Sequence, residues 1–305
     1  MLRQCSAYLH FSDPAHFVAW AVLCGTLATF TLVHLRFIDF HGVFCRDGGR
    51  VPGEGALPGE CFYFLRSTAT QYSVRSHLVL ALPAALLACT QFVPRIRHKA
   101  IFLHRLNGYV SLVLGIFGAV GIVPSIRHAF GGDVAAQAAG GTMTVLFVGA
   151  QLKAYVSVRR RQIDQHQAWM IRSWVYASAI ISLRIIMFIA AIIVSVLGDY
   201  YMAQPCDKID FILGHDKNKV LARYPDCGPF YTGQDPKKHV AVNANIGSKT
   251  DITQVVTAFN ATYGMSSWVA FMIHAAGVEI YFNSVASRNH HNNSEVLQKQ
   301  QDKAD

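Results

Sequence analysis

An arginine, Arg184, stands near the middle of an apolar run from Trp169 to Leu197. A guanidinium at such a depth in a bilayer costs about 2.5–3.5 kcal/mol on insertion scales unless something inside the protein meets it. A charge kept there fixes the register of a helix or receives an anion, and both readings stay open at this stage. On an α-helix, Ser173, Tyr176, Ala177, Ile180 and Arg184 share one face, which should look into a helix bundle. Arg172 lies about 18 Å nearer the start of the run, where its long stem can carry the charge to the interface. Glu279 is the one acid well inside an apolar segment, at about the depth of Arg172, so the two should pair. Arg184 should meet carbonyls, hydroxyls, His274 or a bound anion.

Histidines form a second constellation. His104 and His166 open apolar segments at one rim; His77 and His128 fall at the other, which His34 also approaches. Facing imidazoles on neighbouring helices can ligate haem iron. Gly108, Gly115, Gly118 and Gly121 would let a flat porphyrin approach, and equally let a second helix approach. A two-haem electron conduit, haem b by ligand type, would use His104 with His166 and His77 with His128. Against it, about 36 Å separates His104 from His128 along one helix, which puts both pairs at the membrane boundary. No HExxH, GxSxG, glycine-rich nucleotide loop, paired carboxylates or Cys/His zinc spacing occurs, so neither a metal site nor a nucleophile triad has support.

The elements that must hold these residues are membrane spans. About 20 mostly apolar residues cross a hydrocarbon core as a helix. Six stretches fit: His16–Phe37, His77–Val93, Leu106–Ile126, Val134–Val158, Ala168–Leu197 and Tyr263–Asn283. They are apolar all round, unlike the striped helices of a soluble bundle. The expected fold is an all-α polytopic transmembrane bundle of about six spans, one domain over 1–283. Links of about 39–71 and 199–261 lie on one side, and the polar tail 284–305 should be disordered and cytosolic. The second link is long enough to carry structure of its own.

Charge sets the orientation. The formal charge of +9 sits mostly in two links, Arg95, Arg97, Lys99 and Arg105, then Arg159, Arg160 and Arg161. That is the signature of cytosolic loops and calls for no nucleic acid. Both termini then lie in the cytosol. With 52% hydrophobic and 15% charged residues, the chain belongs in the endoplasmic reticulum or plasma membrane rather than in solution. The first span is too long for a signal-peptide core and reads as a retained anchor. The opposite links hold Cys45 with Cys61, and Cys206 with Cys227, in a compartment that permits disulfides. Cys24 and Cys89 lie within spans and read as packing residues. Asn260-Ala261-Thr262 is a glycosylation sequon on the disulfide side, close against the last span; Asn292-Asn293-Ser294 falls in the cytosolic tail and should stay bare.

The run His104-Arg105-Leu106-Asn107-Gly108-Tyr109, preceded by His77, Gln91, Arg95 and Arg97, resembles one hallmark of an uncharacterised family of predicted multi-pass microbial membrane proteins, known only as a domain of unknown function. His166-Gln167-Ala168-Trp169-Met170-Ile171-Arg172-Ser173 followed by Arg184 is similar to its other hallmark. The resemblance covers spans two to five. It implies a helical membrane fold, nominates His77, His104, His166, Arg172 and Arg184 as the site, and implies no activity.

Three functions remain. The histidines favour a haem-binding transmembrane redox protein. The arginines favour a binding or transport module for an anionic lipid, a small acidic solute or a small lipophilic ligand. An intramembrane enzyme on a lipophilic substrate, with a histidine moving protons, is the third.

Overall fold

The computed structural model describes residues 9, 14–46, 55–57 and 59–301, with side chains placed up to 284. The chain is a polytopic helix bundle. Its long helices are α1 (Pro14–His34), α3 (Thr68–Gln91), α5 (Ile101–Gly121, running on into α6, Val123–Ile126), α7 (Val134–Arg159), α8 (Ile163–Leu197) and α12 (Ile252–Gln301). Short helices fill the links: α2 (Glu60–Arg66), α4 (Pro94–Lys99), α9 (Cys206–Ile212), α10 (Lys217–Arg223) and α11 (Gly228–Thr232).

Helix α8 is the central element, packed along α7 and α12, while α3 packs between α1 and α5. Among the described residues four helical stretches are long and apolar enough to cross a membrane: His16–Ile38, Thr68–Gln91, Ile101–Ile126 and Ile163–Leu197. The other two expected spans form helices of 26 and 50 residues, α7 and α12, but are interrupted by polar residues. Packing against α8 explains why they can be. Gln151 of α7, and Asn260 and Ser266 of α12, are 0% exposed, turned onto protein rather than lipid. The backbone of α12 continues to Gln301 through the segment whose composition reads as a disordered tail; its side chains beyond 284, the second sequon included, lie outside the described residues.

Span two begins nine residues earlier than its hydropathy suggests. Thr68-Ala-Thr-Gln-Tyr-Ser reads as a polar link, yet it is the first turns of α3. Its polar groups bridge helices instead of facing water: Ser73 Oγ donates to the Gly121 carbonyl at 2.6 Å, and the Thr70 carbonyl accepts from Ser125 Oγ of α6 at 3.1 Å. Pro83 sits inside α3 without ending it, as bundled membrane helices allow.

Both disulfides form. Cys45–Cys61 sits in a small core with Phe40, Phe64 and Val74; Cys206–Cys227 sits in another with Ile209, Val220, Val240 and Val242. Part of the second core is built by the one departure from an all-α chain among the described residues, an antiparallel ribbon of β1 (Tyr201–Pro205) and β2 (His239–Asn243), with Tyr201 opposite Asn243 and Pro205 opposite His239. The two links dock on each other: Arg66 pairs with Asp207 at 2.8 Å, and the rings of Phe62 and Phe211 meet edge to face at 5.5 Å. The disulfides therefore lie at the same end of the bundle, as an even number of crossings between them requires.

Candidate functional site

The docked links bring charge to the top of α8. Gly59 precedes α2 with φ +88°, and a Cβ there would stand 3.0 Å from Lys208 Cε and 2.9 Å from Ile212 Cδ1. Only glycine combines that left-handed backbone with so close an approach by α9. The result places Lys208, 0% exposed, beside Glu60, 4% exposed. Glu60 Oε2 accepts the Phe130 backbone N–H at 2.8 Å. Burial pushes the Glu60 carboxyl up to about 6, with Lys208, the Phe130 N–H and Arg184 pulling the other way. Burial likewise brings the Lys208 ammonium down to about 8, opposed by Glu60 and Asp207.

Phe130 links this pair to the deep arginine. It is a non-glycine residue in the left-handed region (φ 48°, ψ 49°), followed by Gly131 and Gly132, also at positive φ. Such a conformation costs on the order of 1 kcal/mol and needs surrounding contacts to hold it. Here the contacts are the site itself. The Phe130 ring stacks on Tyr263 of α12 with centroids 4.3 Å apart, and Arg184 Cζ lies 5.0 Å from the ring centroid. Asn260, one turn before Tyr263, holds the other side. In the amide orientation that satisfies its neighbours, its Oδ1 accepts from Lys208 Nζ at 2.8 Å and its Nδ2 donates to the Phe130 carbonyl at 3.3 Å. A second stack closes the cluster: His128 lies on Tyr63 at 4.7 Å, and Lys208 Nζ stands 5.5 Å from the Tyr63 ring centroid. Burial first, then Asp207, pushes the Tyr63 phenol up to about 12.

Two buried atoms in this cluster have no hydrogen-bond partner: Arg184 Nε and Glu60 Oε1. One is a donor and the other an acceptor, on either side of Phe130. Ionised, the three charged side chains sum to one excess positive charge.

Of the five residues the family resemblance nominates, Arg184 alone enters this cluster; His128 and Asn260 enter it in roles other than those expected. Arg172 is spent at the opposite end, where Glu279 grips it through both oxygens (2.6 and 2.8 Å) and the guanidinium lies between the rings of Trp169 and Phe282 (4.8 and 4.4 Å). His274 does not reach Arg184; it bonds Ser182 Oγ and the Val175 carbonyl, each at 2.8 Å. His77 does not open a span but sits nine residues into α3, its Nδ1 2.8 Å from the Gly118 carbonyl. It does not face His128, whose ring is on Tyr63, so the haem site expected from that pair is not assembled. The glycine stripe is filled by helix packing: a Cβ on Gly118 would lie 3.0 Å from the Ala81 backbone nitrogen, and one on Gly121 2.9 Å from Ser76 Oγ. At the other rim, His166 Nδ1 bonds the Ala154 carbonyl at 2.9 Å, and His104 keeps a buried Nδ1 without a partner.

Asn260 corrects a further expectation. It is 0% exposed, inside α12 and bonded to Lys208, so the folded chain offers no acceptor for a glycan there. The sequon lies in the helix because α12 starts at Ile252, eleven residues before the apolar stretch from Tyr263.

The matched family now has geometry to sit on. Residues 74–204 match a family described as "Predicted membrane protein (DUF2306)". That segment runs from α3 into β1 and contributes Arg184 and Phe130; Glu60, Lys208, Asn260 and Tyr263 come from outside it. The chain is also similar to Ava biosynthesis cluster protein G of Aspergillus versicolor, 25% identical over 328 residues, covering 92% of this chain and 91% of the relative. No solved structure matches.

Sequence reasoning missed Glu60, Lys208, Tyr63 and Phe130. A signal for two of them exists: Glu60 adjoins Cys61, and Lys208 follows Cys206 by two residues. A charge beside a disulfide half is held in place, and both links were charge-bearing and disulfide-bearing at once.

Proposed function

We propose that this membrane protein binds the acidic head of a lipophilic molecule or a small acidic solute at the Arg184–Glu60–Lys208 cluster. The observation that carries the reading is the pair of buried, unpartnered atoms, Arg184 Nε and Glu60 Oε1. Leaving either unsatisfied costs about 1–3 kcal/mol. A ligand with an anionic acceptor for Arg184 and a hydroxyl donor for Glu60 satisfies both and neutralises the excess positive charge. A hydroxy acid or a singly ionised phosphate monoester has that pattern. Phe130 occupies the position between the two, so ligand entry displaces its ring.

Burial moves the Glu60 carboxyl up to about 6 and the Lys208 ammonium down to about 8, both towards neutrality, which suits the same site to proton transfer with what it holds. The biosynthesis cluster named for the Aspergillus relative accords with that extension. Orientation with both termini in the cytosol is supported by the basic links at the end away from the disulfides.

The test is native mass spectrometry of protein purified in mild detergent. An acidic molecule should stay bound to the wild type and be lost in Arg184→Gln. Identical bound species in both would refute the reading. Turnover of that molecule, abolished by Glu60→Gln, would extend it to an enzyme.

A second reading rests on His104 and His166. The Nδ1 contact of His166 to a carbonyl leaves Nε2 as the lone-pair nitrogen, as an iron ligand requires. A Soret band lost in His104→Ala and in His166→Ala supports haem there; protein that takes up no haem on reconstitution removes it.

A further inference from the structure

A groove of about 540 Å³ runs along the bundle surface between α3 and the α5–α6 junction, lined by Tyr72, Arg75, Ser76, Val79, Gly121 and Pro124 among others. None of its lining residues belongs to the Arg184 cluster. Tyr72, Arg75, Ser76 and Val79 follow the spacing of one helix face; Ser76 packs towards Gly121, while Arg75 is exposed, Tyr72 is 63% exposed and Val79 46%. Since α3 is long and apolar enough to cross a membrane, lipid is what this face would meet. Helix α3 starts at the disulfide end, directly after α2, so Arg75 lies about 10 Å along it. An exposed guanidinium at that depth needs an anion or must climb to the interface. Among the described residues no acid pairs with it; its recorded neighbour is the Tyr72 ring, 5.9 Å from Arg75 Cζ. Below the charge the groove is apolar, with Val79 and Leu80 along its floor.

We infer that this groove is a binding site for a glycerophospholipid of the leaflet at the disulfide end. Arg75 holds the phosphate, Tyr72 lies beside the headgroup, and one acyl chain lies along the open groove over Val79 and Leu80. A positive charge at the interfacial end of an apolar slot is complementary to a molecule with an anionic head and a hydrocarbon tail. It is not complementary to a neutral lipid or to a free ion. At Gly121 the α3 and α5 backbones cross closely, since a Cβ there would stand 2.9 Å from Ser76 Oγ.

Native mass spectrometry of the full chain, titrated with palmitoyl-oleoyl-phosphatidylglycerol in mild detergent, tests this. The expected result is one preferentially retained phospholipid, reduced at least about fivefold in Arg75→Gln and partly kept in Arg75→Lys. A diacylglycerol with the same chains should leave no comparable adduct, and inorganic phosphate should not compete. Val79→Trp, which fills the channel and leaves the charge in place, should also lose the adduct. Arg184→Gln should retain it, so this outcome is separate from that of the acidic-ligand site. Equal retention in Arg75→Gln and wild type, or equal retention of diacylglycerol and phospholipid, overturns the proposal.

Discussion

Arg184 lies with its guanidinium carbon 5.0 Å from the centroid of the Phe130 ring, a membrane-buried cation set against a loop residue in a left-handed conformation. The same Phe130 gives its N–H to Glu60. A single residue thus joins the charge carried by a span to the charge carried by a disulfide-bonded link, and this contact defines the site.

Glu60 should make stability pH-dependent. Its ordinary value is 4.5 and the folded value about 6, so the folded state holds the proton more tightly. That preference favours folding below about pH 4.5, fades as pH rises through 6, and is flat above, a change of about 2 kcal/mol. Lys208 shifts between about 8 and its ordinary 10.5, outside that window. The thermal midpoint in detergent should therefore fall between pH 4.5 and 7 through Glu60. Glu60→Gln should flatten that slope; an unchanged slope in the variant contradicts the assignment.

The Cys206–Cys227 bond closes the core that carries Lys208. Replacing both cysteines with serine should cost about 2–5 kcal/mol and loosen the link. Limited proteolysis should then cut between residues 213 and 238 under conditions that leave the wild type whole. Equal cleavage rates would show that the ribbon and α9 hold the link without the bond.

Arg172 and Glu279 should behave as a structural pair. Glu279 is 48% exposed, so screening limits their coupling to about 1 kcal/mol in a double-mutant cycle. Arg172→Lys should lose most of it, because lysine matches neither the two-oxygen grip nor the stacking between Trp169 and Phe282. Ligand retention should be unaffected by either change.

Asn260 should carry no glycan. Treatment with an N-glycosidase should leave the mass of its peptide unchanged. Asn260→Leu should destabilise the protein by about 1–3 kcal/mol, because it removes the acceptor of a buried ammonium, whereas Asn260→Asp should keep it folded.

The bundle was legible because hydrocarbon imposes a pattern that sequence must obey, and Arg184 was legible as an exception to it. Cysteine placement on the non-basic side made both disulfides readable. The start of α3 was not, because serine and threonine that bridge helices have the composition of a link. The rest of the site was hidden for a different reason. Glu60 and Lys208 lie 148 residues apart in links without periodicity, and only the docking of α2 on α9 through Gly59 brings them together. The rim histidines stood out by type, yet His77 and His128 went to separate packing roles, on a carbonyl and on a tyrosine ring.

The most direct measurement of the central claim compares a long-chain hydroxy acid with its methyl ester as ligands of detergent-solubilised protein, followed by thermal shift. The acid should raise the midpoint of the wild type, the ester should not, and Arg184→Gln should abolish the shift while remaining folded. Equal shifts from acid and ester, or an acid shift that survives Arg184→Gln, would contradict the claim that Arg184 receives an anion.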